Sequence, residues 1–383
     1  MYYFDWAATS PMSENSIEAY CNTARNFIGN PSSIHGEGFK AKEKLEDYRK
    51  QIASLLKVDS KTIYFTSGGT ESNSIILNSL LRSPNPGQVI ITRMEHSAIS
   101  SYESILREKG FDVKYLNCPK GYINPEKLIP MLNSNTRMVV CMLVNNVVGT
   151  IQNLKRVSEI CKNFKSSRKI HVHADAVQAI GKIPMDLLDL GIDSASFSAH
   201  KFCGPRGVGI LYNKNNRILP ISSGGGQESF LRGGTENLAG ISAMAIALKD
   251  SLNKLELHYK NVESCRNYLE KALLDAGFSI LSPLKESNLK YSPYILTVST
   301  KNVPGEVFVR MMDLERFCLS SGSACSNNAK GNNVGILRSM GYDEKSALGT
   351  VRVSFGYSTD IEEVKLLAKK MIEVKNNLSF KRN

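Results

Sequence analysis

Three short segments carry side chains that could do chemistry together. FTSGGTESN (65–73) ends an apolar run at Thr66, turns through a Gly pair and opens a helical pattern at Thr70 and Glu71. That layout aims backbone N–H groups and the positive end of a helix at an anion. Glycine permits close approach, and Thr70 adds a hydroxyl donor. The segment is neither a Walker loop nor a G-x-G-x-x-G fingerprint, and alone it fits a capped turn as well as a phosphate site. HVHADAVQAIGK (171–182) sets Asp175 at the end of another apolar run, where open α/β sheets place ligands. A carboxylate is costly to bury there without a cation; a plain helix N-cap is the other reading. SFSAHKFCGPRGVG (196–209) sets Ser198, His200 and Lys201 between a third apolar run and a Gly/Pro turn. Partial burial would favour a neutral amine at Lys201, able to attack a carbonyl. A surface lysine is the alternative.

Taken together, the three segments change meaning. An anion cradle, a buried acid and a strand-end lysine are the parts that a pyridoxal 5′-phosphate enzyme requires. The helix N-terminus takes the phosphate, the acid keeps the pyridine nitrogen protonated, and the lysine carries the cofactor as a Schiff base.

The elements that must position these groups alternate along the chain. Strand candidates fall at 62–66, 88–92, 138–144, 169–175, 194–199 and 207–212, with helical patterns at 71–82, 97–109, 124–133 and 154–166. Such alternation predicts an α/β fold with a mainly parallel sheet covered by helices on both faces. MVVCMLV (138–144) is the continuous apolar run of a strand buried on both sides. Beyond about residue 250 the character changes. A long charged helical pattern (241–276) leads to strand candidates 294–300 and 350–356 and a closing helix, 361–378. This reads as a second, smaller α+β domain, with a large domain over 15–255 and the small one built from 1–14 and 256–383. GSACSNNAKGNNVG (322–335), rich in Gly, Asn and Ser, is a loop expected to be mobile.

Composition adds exclusions. The 383 residues are 42% hydrophobic and 22% charged, the balance of an ordinary globular chain. The net charge of +12 is scattered, with no basic tract and no aromatic interleaving, so direct nucleic-acid binding is not expected. An acidic protein partner would suit it. The eight cysteines form no C-x-x-C pair and no zinc spacing, and a chain this long has no need of a disulfide scaffold. The N-terminal stretch has no signal-peptide pattern, and no apolar run reaches membrane-spanning length. The expectation is a cytoplasmic protein with reduced thiols and no membrane partner.

The ordered blocks FDWAATSP (4–11), GNPSSIHGEG (29–38), FTSGGTESN (65–73), EHSA (95–98), VNNVVGTIQ (144–152), HADAVQAIGK (173–182), SFSAHKFCGPRGVG (196–209), GGGQESFLRGGTEN (224–237), SSGSACS (320–326) and TVRVSFG (350–356) resemble the NifS/IscS-type cysteine desulfurases. These are class-V members of the pyridoxal-phosphate transferases of fold type I. The resemblance runs nearly end to end. It implies a large domain with a mainly parallel seven-stranded sheet, and a smaller α+β domain that carries the catalytic cysteine loop. It also implies a homodimer whose active site is shared between subunits.

By position, the resemblance makes Lys201 the Schiff-base lysine and sets Asp175 against the pyridine nitrogen. His96 would stack on the ring and shuttle protons, while Asn146 and Gln178 would bond near its 3′ oxygen. Gly69, Thr70, Ser198 and His200 would hold the phosphate, joined by Thr235 from the neighbouring subunit. Arg352 would clamp the carboxylate of L-cysteine, with Asn30 close by, and Cys325 would form the persulfide. The implied reaction removes sulfur from L-cysteine, releases L-alanine and passes the persulfide to an acceptor such as an iron–sulfur scaffold or a tRNA-thiolation enzyme. Selenocysteine lyase and another class-V aminotransferase are the enzymatic alternatives; Cys325 argues against the aminotransferase, which needs no thiol there. A scaffold that binds the cofactor without turnover is a third reading, opposed by the retained site residues.

Several positions depart from the family pattern. Val147 stands where relatives carry Glu, Cys203 stands where an aromatic residue is usual, and 326–335 lacks the usual stretch after the cysteine. Cys203 is expected to serve packing, Cys318 to lie in the core, and His35 to pack a loop. His171 and His173 alternate on one strand like a metal pair, but no third ligand has suitable spacing, so a supporting role is expected.

Overall fold

The structure, a computed structural model, describes residues 1–166, 168–214, 218–220, 224–287, 289–321 and 332–380. Its centre is a seven-stranded sheet of β1 (Ile63–Thr66), β2 (Gln88–Thr92), β3 (Asp112–Leu116), β4 (Thr136–Val140), β5 (His171–Asp175), β6 (Ser194–Ser198) and β7 (Gly209–Asn213), in the order β1-β7-β6-β5-β4-β2-β3. Pairs among β6, β5, β4, β2 and β3 are parallel; β7 alone runs antiparallel to both its neighbours. Val89, Ile90 and Ile91 are fully buried although they alternate in direction, which marks a strand covered on both faces. The α/β architecture expected from the sequence is therefore present.

Helices α1 (Glu14–Asn26), α2 (Gly36–Leu56) and α3 (Gly69–Leu81) come early in the chain, and α4 (Leu238–Asn253) packs against α1 and α2. A four-stranded sheet holds β8 (Ser279–Ile280), β9 (Ile295–Ser299), β10 (Ser320–Ser321) and β11 (Thr350–Ser354), ordered β10-β11-β9-β8. It packs with α5 (Leu255–Asp275) and the closing helix α6 (Ile361–Phe380) around a second core that includes Phe4, Leu296, Val353 and Leu367.

Some boundaries differ from the sequence expectation. The 241–276 pattern is two helices, broken at Lys254. The 124–133 helix is a 3-10 segment, Pro125–Met131, because Pro130 removes a backbone donor inside it. The strand expected over 138–144 ends at Val140, and the apolar residues beyond it form a buried loop. Strand β3, with its outward Asp112 and Lys114, lacks the long apolar run that marked the others. No helix among the described residues is long and apolar enough to cross a membrane.

Candidate active site

The carboxyl ends of the parallel strands converge on one cavity of about 620 Å³, within the size range of small-molecule sites. Asp175 closes β5, Ser198 closes β6 and leads to His200 and Lys201, and His96 follows β2. Asn146 follows β4 on a buried loop, and α3 begins directly after β1. Glycine is required where these elements meet. A Cβ on Gly69 would lie 2.6 Å from Val177 Cγ2, and one on Gly209 would lie 2.5 Å from Gly68 Cα.

The cavity wall includes Gly69, Thr70, His96, Asn146, Asp175, Gln178, Ser198, His200, Lys201 and Arg352. These ten of the residues named from the sequence thus come together from distant parts of the chain. Asn30 and Thr235 do not line it. They lie beside each other on the surface, with Asn30 Nδ2 3.5 Å from Thr235 Oγ1. Cys325 lies outside the described residues.

Each wall group has a definable state. Lys201 Nζ donates to the carbonyls of Ala7 at 2.7 Å and Ala8 at 2.6 Å. Asp175 is buried; Oδ2 accepts from Asn73 Nδ2 at 3.0 Å and Oδ1 from the Val177 N–H at 3.1 Å. His96 caps a short helix through Nδ1, which accepts from the Ala98 N–H at 3.2 Å, so a neutral ring carries its proton on Nε2. Burial lowers the His96 pKa despite the nearby Asp175 charge. His200 Nδ1 meets Thr9 Oγ1 at 3.1 Å, and burial followed by the charges of Lys201, Lys182 and Arg206 pushes its pKa down to about 3.

Arg352 spreads its guanidinium over three acceptors, the Asn146 carbonyl at 3.0 Å, Asp5 Oδ1 at 3.0 Å and Ser320 Oγ at 3.2 Å. Gln178 is already committed on both sides. Its Nε2 donates to the Ala7 carbonyl at 2.9 Å, and its Oε1 accepts from Lys182 Nζ at 2.9 Å. Full burial lowers Lys182 to about 7.

Sequence reasoning missed four contributors. Asn73 lies four residues beyond Gly69, one helical turn along the same face, and that spacing could have found it. Arg206 lines the cavity as an exposed cation. Asp5 pairs with Arg352. Glu95 is fully buried beside the site; its Oε1 accepts from Thr92 Oγ1 and from the Met142 N–H, its Oε2 finds no partner among the described residues, and burial raises its pKa to about 8.

Of the departing positions, 326–331 lie outside the described residues, while Val147 and Cys203 have plain places. Val147 points into the core and does not line the cavity. Cys203 is buried, with its thiol pKa raised by burial, in keeping with packing. His35 caps α2 by accepting from the Gly38 N–H at 3.2 Å. Cys318, expected in the core, is only half-buried because its strand, Phe317–Cys318, pairs with Tyr2–Tyr3 in a two-stranded ribbon.

The sequence pattern of class-V aminotransferases matches residues 2–367. The chain belongs to that family and, within it, to the NifS/IscS-type cysteine desulfurases. It is 40% identical to a NifS/IcsS protein homolog of Lactobacillus delbrueckii subsp. bulgaricus, with 95% of this chain and 94% of that protein covered. It is 34% identical to the cysteine desulfurase IscS of Dictyoglomus turgidum, covering 94% of this chain and 91% of that one. A solved NifS-like protein superimposes with a TM-score of 0.91 at 36% identity, covering 99% of each chain.

Pyridoxal 5′-phosphate, the cofactor of this family, is compatible with the cavity. The first-turn N–H groups of α3 have no side-chain cap and no intrahelical acceptor, and Gly69 leaves them open to an anion. Asp175 supplies a buried carboxylate, Lys201 an amine, and Asn146 a buried Oδ1 without a partner among the described residues.

Proposed function

We propose that this chain is a cysteine desulfurase that takes sulfur from L-cysteine, releases L-alanine and holds the sulfur as a persulfide on Cys325. The observation that carries this reading is a single cavity lined by the Gly69–Thr70 cradle, Asp175, Lys201 and the guanidinium of Arg352. Full-length similarity to named desulfurases supports the choice of reaction.

When bound, pyridoxal 5′-phosphate supplies an electron sink for the α-carbon of the substrate. The cradle, Ser198 and His200 would hold its phosphate, His200 as a neutral N–H donor. Asp175 would pair with its ring nitrogen, and Lys201 would supply the amine that attaches it. Arg352 holds the substrate carboxylate with a planar fork that lysine cannot offer. The Lys201 amine would be the base for the α-proton, and the Nε2 of His96, in the same cavity, could move protons there. The Cys325 thiolate then attacks the cysteine sulfur. The carbon–sulfur bond breaks, its electron pair stays with carbon, and carbon takes a proton to leave as alanine.

The chain divides functionally into a cofactor domain, 15–255, and a smaller domain formed by 1–14 and 256–383. It works as a homodimer in which Asn30 and Thr235, adjacent on the surface, reach together into the partner's cavity. Exposed Ile28, Ile34, Phe39 and Phe230 flank those residues and support this face as the subunit contact. It acts in the cytoplasm and passes its persulfide to an iron–sulfur scaffold or a tRNA-thiolation enzyme. The test is to incubate the purified holoenzyme with L-cysteine and a reductant and to measure alanine and sulfide. Wild type forms both and Cys325→Ser forms neither; no product from wild type, or full activity in the variant, refutes the reading.

A further inference from the structure

Behind Asp175 the structure holds a line of polar groups, half-buried at His171 and buried beyond it, that the proposed reaction does not use. His171, His173 and Asp175 occupy alternate positions of β5 and so share one face of the sheet. Ser194 of β6 pairs across from His173 in the parallel register. Asn73 of α3 lies over the same face. Ser194 Oγ is 2.7 Å from His171 Nε2 and 2.7 Å from His173 Nδ1. His173 Nε2 is 2.9 Å from Asn73 Oδ1, and Asn73 Nδ2 is 3.0 Å from Asp175 Oδ2. His173 and Ser194 are completely buried and Asn73 nearly so. Among the described residues, no set of three groups could hold a metal here.

The chemistry of each group fixes the direction of every bond. A carboxylate only accepts, so Asn73 gives its NH₂ to Asp175 and turns its carbonyl toward His173. His173 Nε2 must therefore carry the proton. Burial keeps His171 near 4 and His173 near 3, so each ring is neutral at physiological pH and holds one N–H. His173 Nδ1 is then an acceptor, and Ser194 donates to it. With its proton used, Ser194 accepts from His171 Nε2. The reverse arrangement would turn the Asn73 carbonyl against the carboxylate, two acceptors face to face.

We propose that His171, Ser194, His173 and Asn73 form a one-way hydrogen-bond chain whose donors all point at Asp175, with Asn73 and His173 as positioning residues that aim and stabilise its carboxylate for the cofactor nitrogen. Donors aligned in series polarise one another in a low-dielectric interior, so the terminal carboxylate gains more than one isolated amide would give. Asn73 also ties the two ends of the cofactor site together. It sits four residues, about 6 Å along the helix axis, beyond Gly69. One rigid helix therefore sets both the phosphate cradle and the acid that faces the ring. The proposal rests on the cofactor assignment made above and adds residues to it.

The experiment uses holoenzyme labelled with ¹⁵N-histidine, together with His173→Phe and His173→Gln. Glutamine can still donate to Asn73 and accept from Ser194, whereas phenylalanine fills the space and breaks the chain. The imidazole ¹⁵N resonances of wild type are expected to show a neutral His173 protonated on Nε2. Pyridoxal phosphate affinity, measured by titrating cofactor-stripped protein, is expected to fall at least tenfold in His173→Phe and to return to within about threefold of wild type in His173→Gln. A proton on Nδ1, a charged His173, or cofactor affinity in His173→Phe equal to wild type overturns the proposal. So does an equal loss in both variants accompanied by equal losses of melting temperature, which would mark a packing role only. Failure of wild type itself to bind the cofactor would refute the proposed function, a different result from any of these.

Discussion

Glu95→Gln is expected to stabilise this protein more with every unit of rising pH. Glu95 is wholly buried, and burial lifts its pKa from 4.5 to about 8. In the unfolded chain the same carboxyl ionises with its ordinary value, near 4.3. Between those two values the native state holds a proton that the unfolded state has released, so native stability falls as pH rises. Each unit of pH in that window costs about 1.4 kcal/mol. From pH 5.5 to pH 7.5 wild type therefore loses roughly 3 kcal/mol that a neutral glutamine does not lose. The variant keeps the local bonds, because its amide oxygen can accept from both Thr92 Oγ1 and the Met142 N–H. Its NH₂ takes the place of Oε2, which has no partner among the described residues. Near pH 5 the two proteins should melt together. By pH 7.5 the variant should melt higher by roughly 6 °C, taking about 2 °C per kcal/mol for a domain of this size. The assay is a melting series of both cofactor-free proteins at matched concentration. The buried histidines and Lys182 titrate identically in each and drop out of the difference. A gap that stays constant with pH, or that closes as pH rises, refutes the reasoning.

Two further outcomes follow from the same geometry. Arg49 holds the nearly buried Glu228 through two bonds of 2.7 and 2.8 Å, and Glu228 also accepts from the Phe65 N–H at 2.7 Å. Arg49→Ala strands that carboxylate, so it should cost about 3–5 kcal/mol in stability and speed proteolysis of the 227–230 segment, where Glu228, Ser229 and Phe230 all have positive φ. Arg352→Lys leaves a point charge where three acceptors need a fork, so KM for L-cysteine should rise and kcat/KM fall by about ten- to a hundredfold; steady-state kinetics with unchanged KM would count against the proposed carboxylate clamp.

The fold was legible where one period dominated. The fully buried β2, with three apolar residues between Gln88 and Thr92, has the limits that the sequence predicts, and β5 and β6 agree within two residues, because strands covered on both faces read as largely apolar runs. The same rule overextended β4, since MLV at 142–144 is buried as loop, and burial alone does not distinguish strand from packed turn. It passed over β3, an edge strand with two outward charged residues. At the site, residue types that do chemistry announced themselves: Asp175, Lys201, His96 and Arg352 all line one cavity. Asn73 and Glu95 stand inside the FTSGGTESN and EHSA motifs, but their significance lies in a partner 102 positions away and in complete burial, neither of which a motif displays.

The N-terminal segment shows most clearly why such contacts escape a sequence reading. FDWAATSP offers only one ionisable side chain, yet it holds four of the side chains that line the cavity. Asp5 pairs with Arg352, the Ala7 carbonyl takes both Lys201 and Gln178, the Ala8 carbonyl takes Lys201 again, and Thr9 meets His200. Two of these four residues act through backbone oxygen, which every residue possesses and no composition reveals. Their selection is visible instead in what surrounds them. A Cβ on Gly356 would fall 2.1 Å from the Trp6 ring, and the Ala7 N–H is fastened to Ser354 Oγ at 2.9 Å. The segment is thus clamped to β11, the strand that carries Arg352, while its carbonyls hold the lysine of the opposite sheet. Arg352 and Lys201 are 151 positions apart, and a backbone strip from residues 5–9 sets the span between them. Side-chain chemistry chose the reacting groups; main-chain geometry fixes their separation.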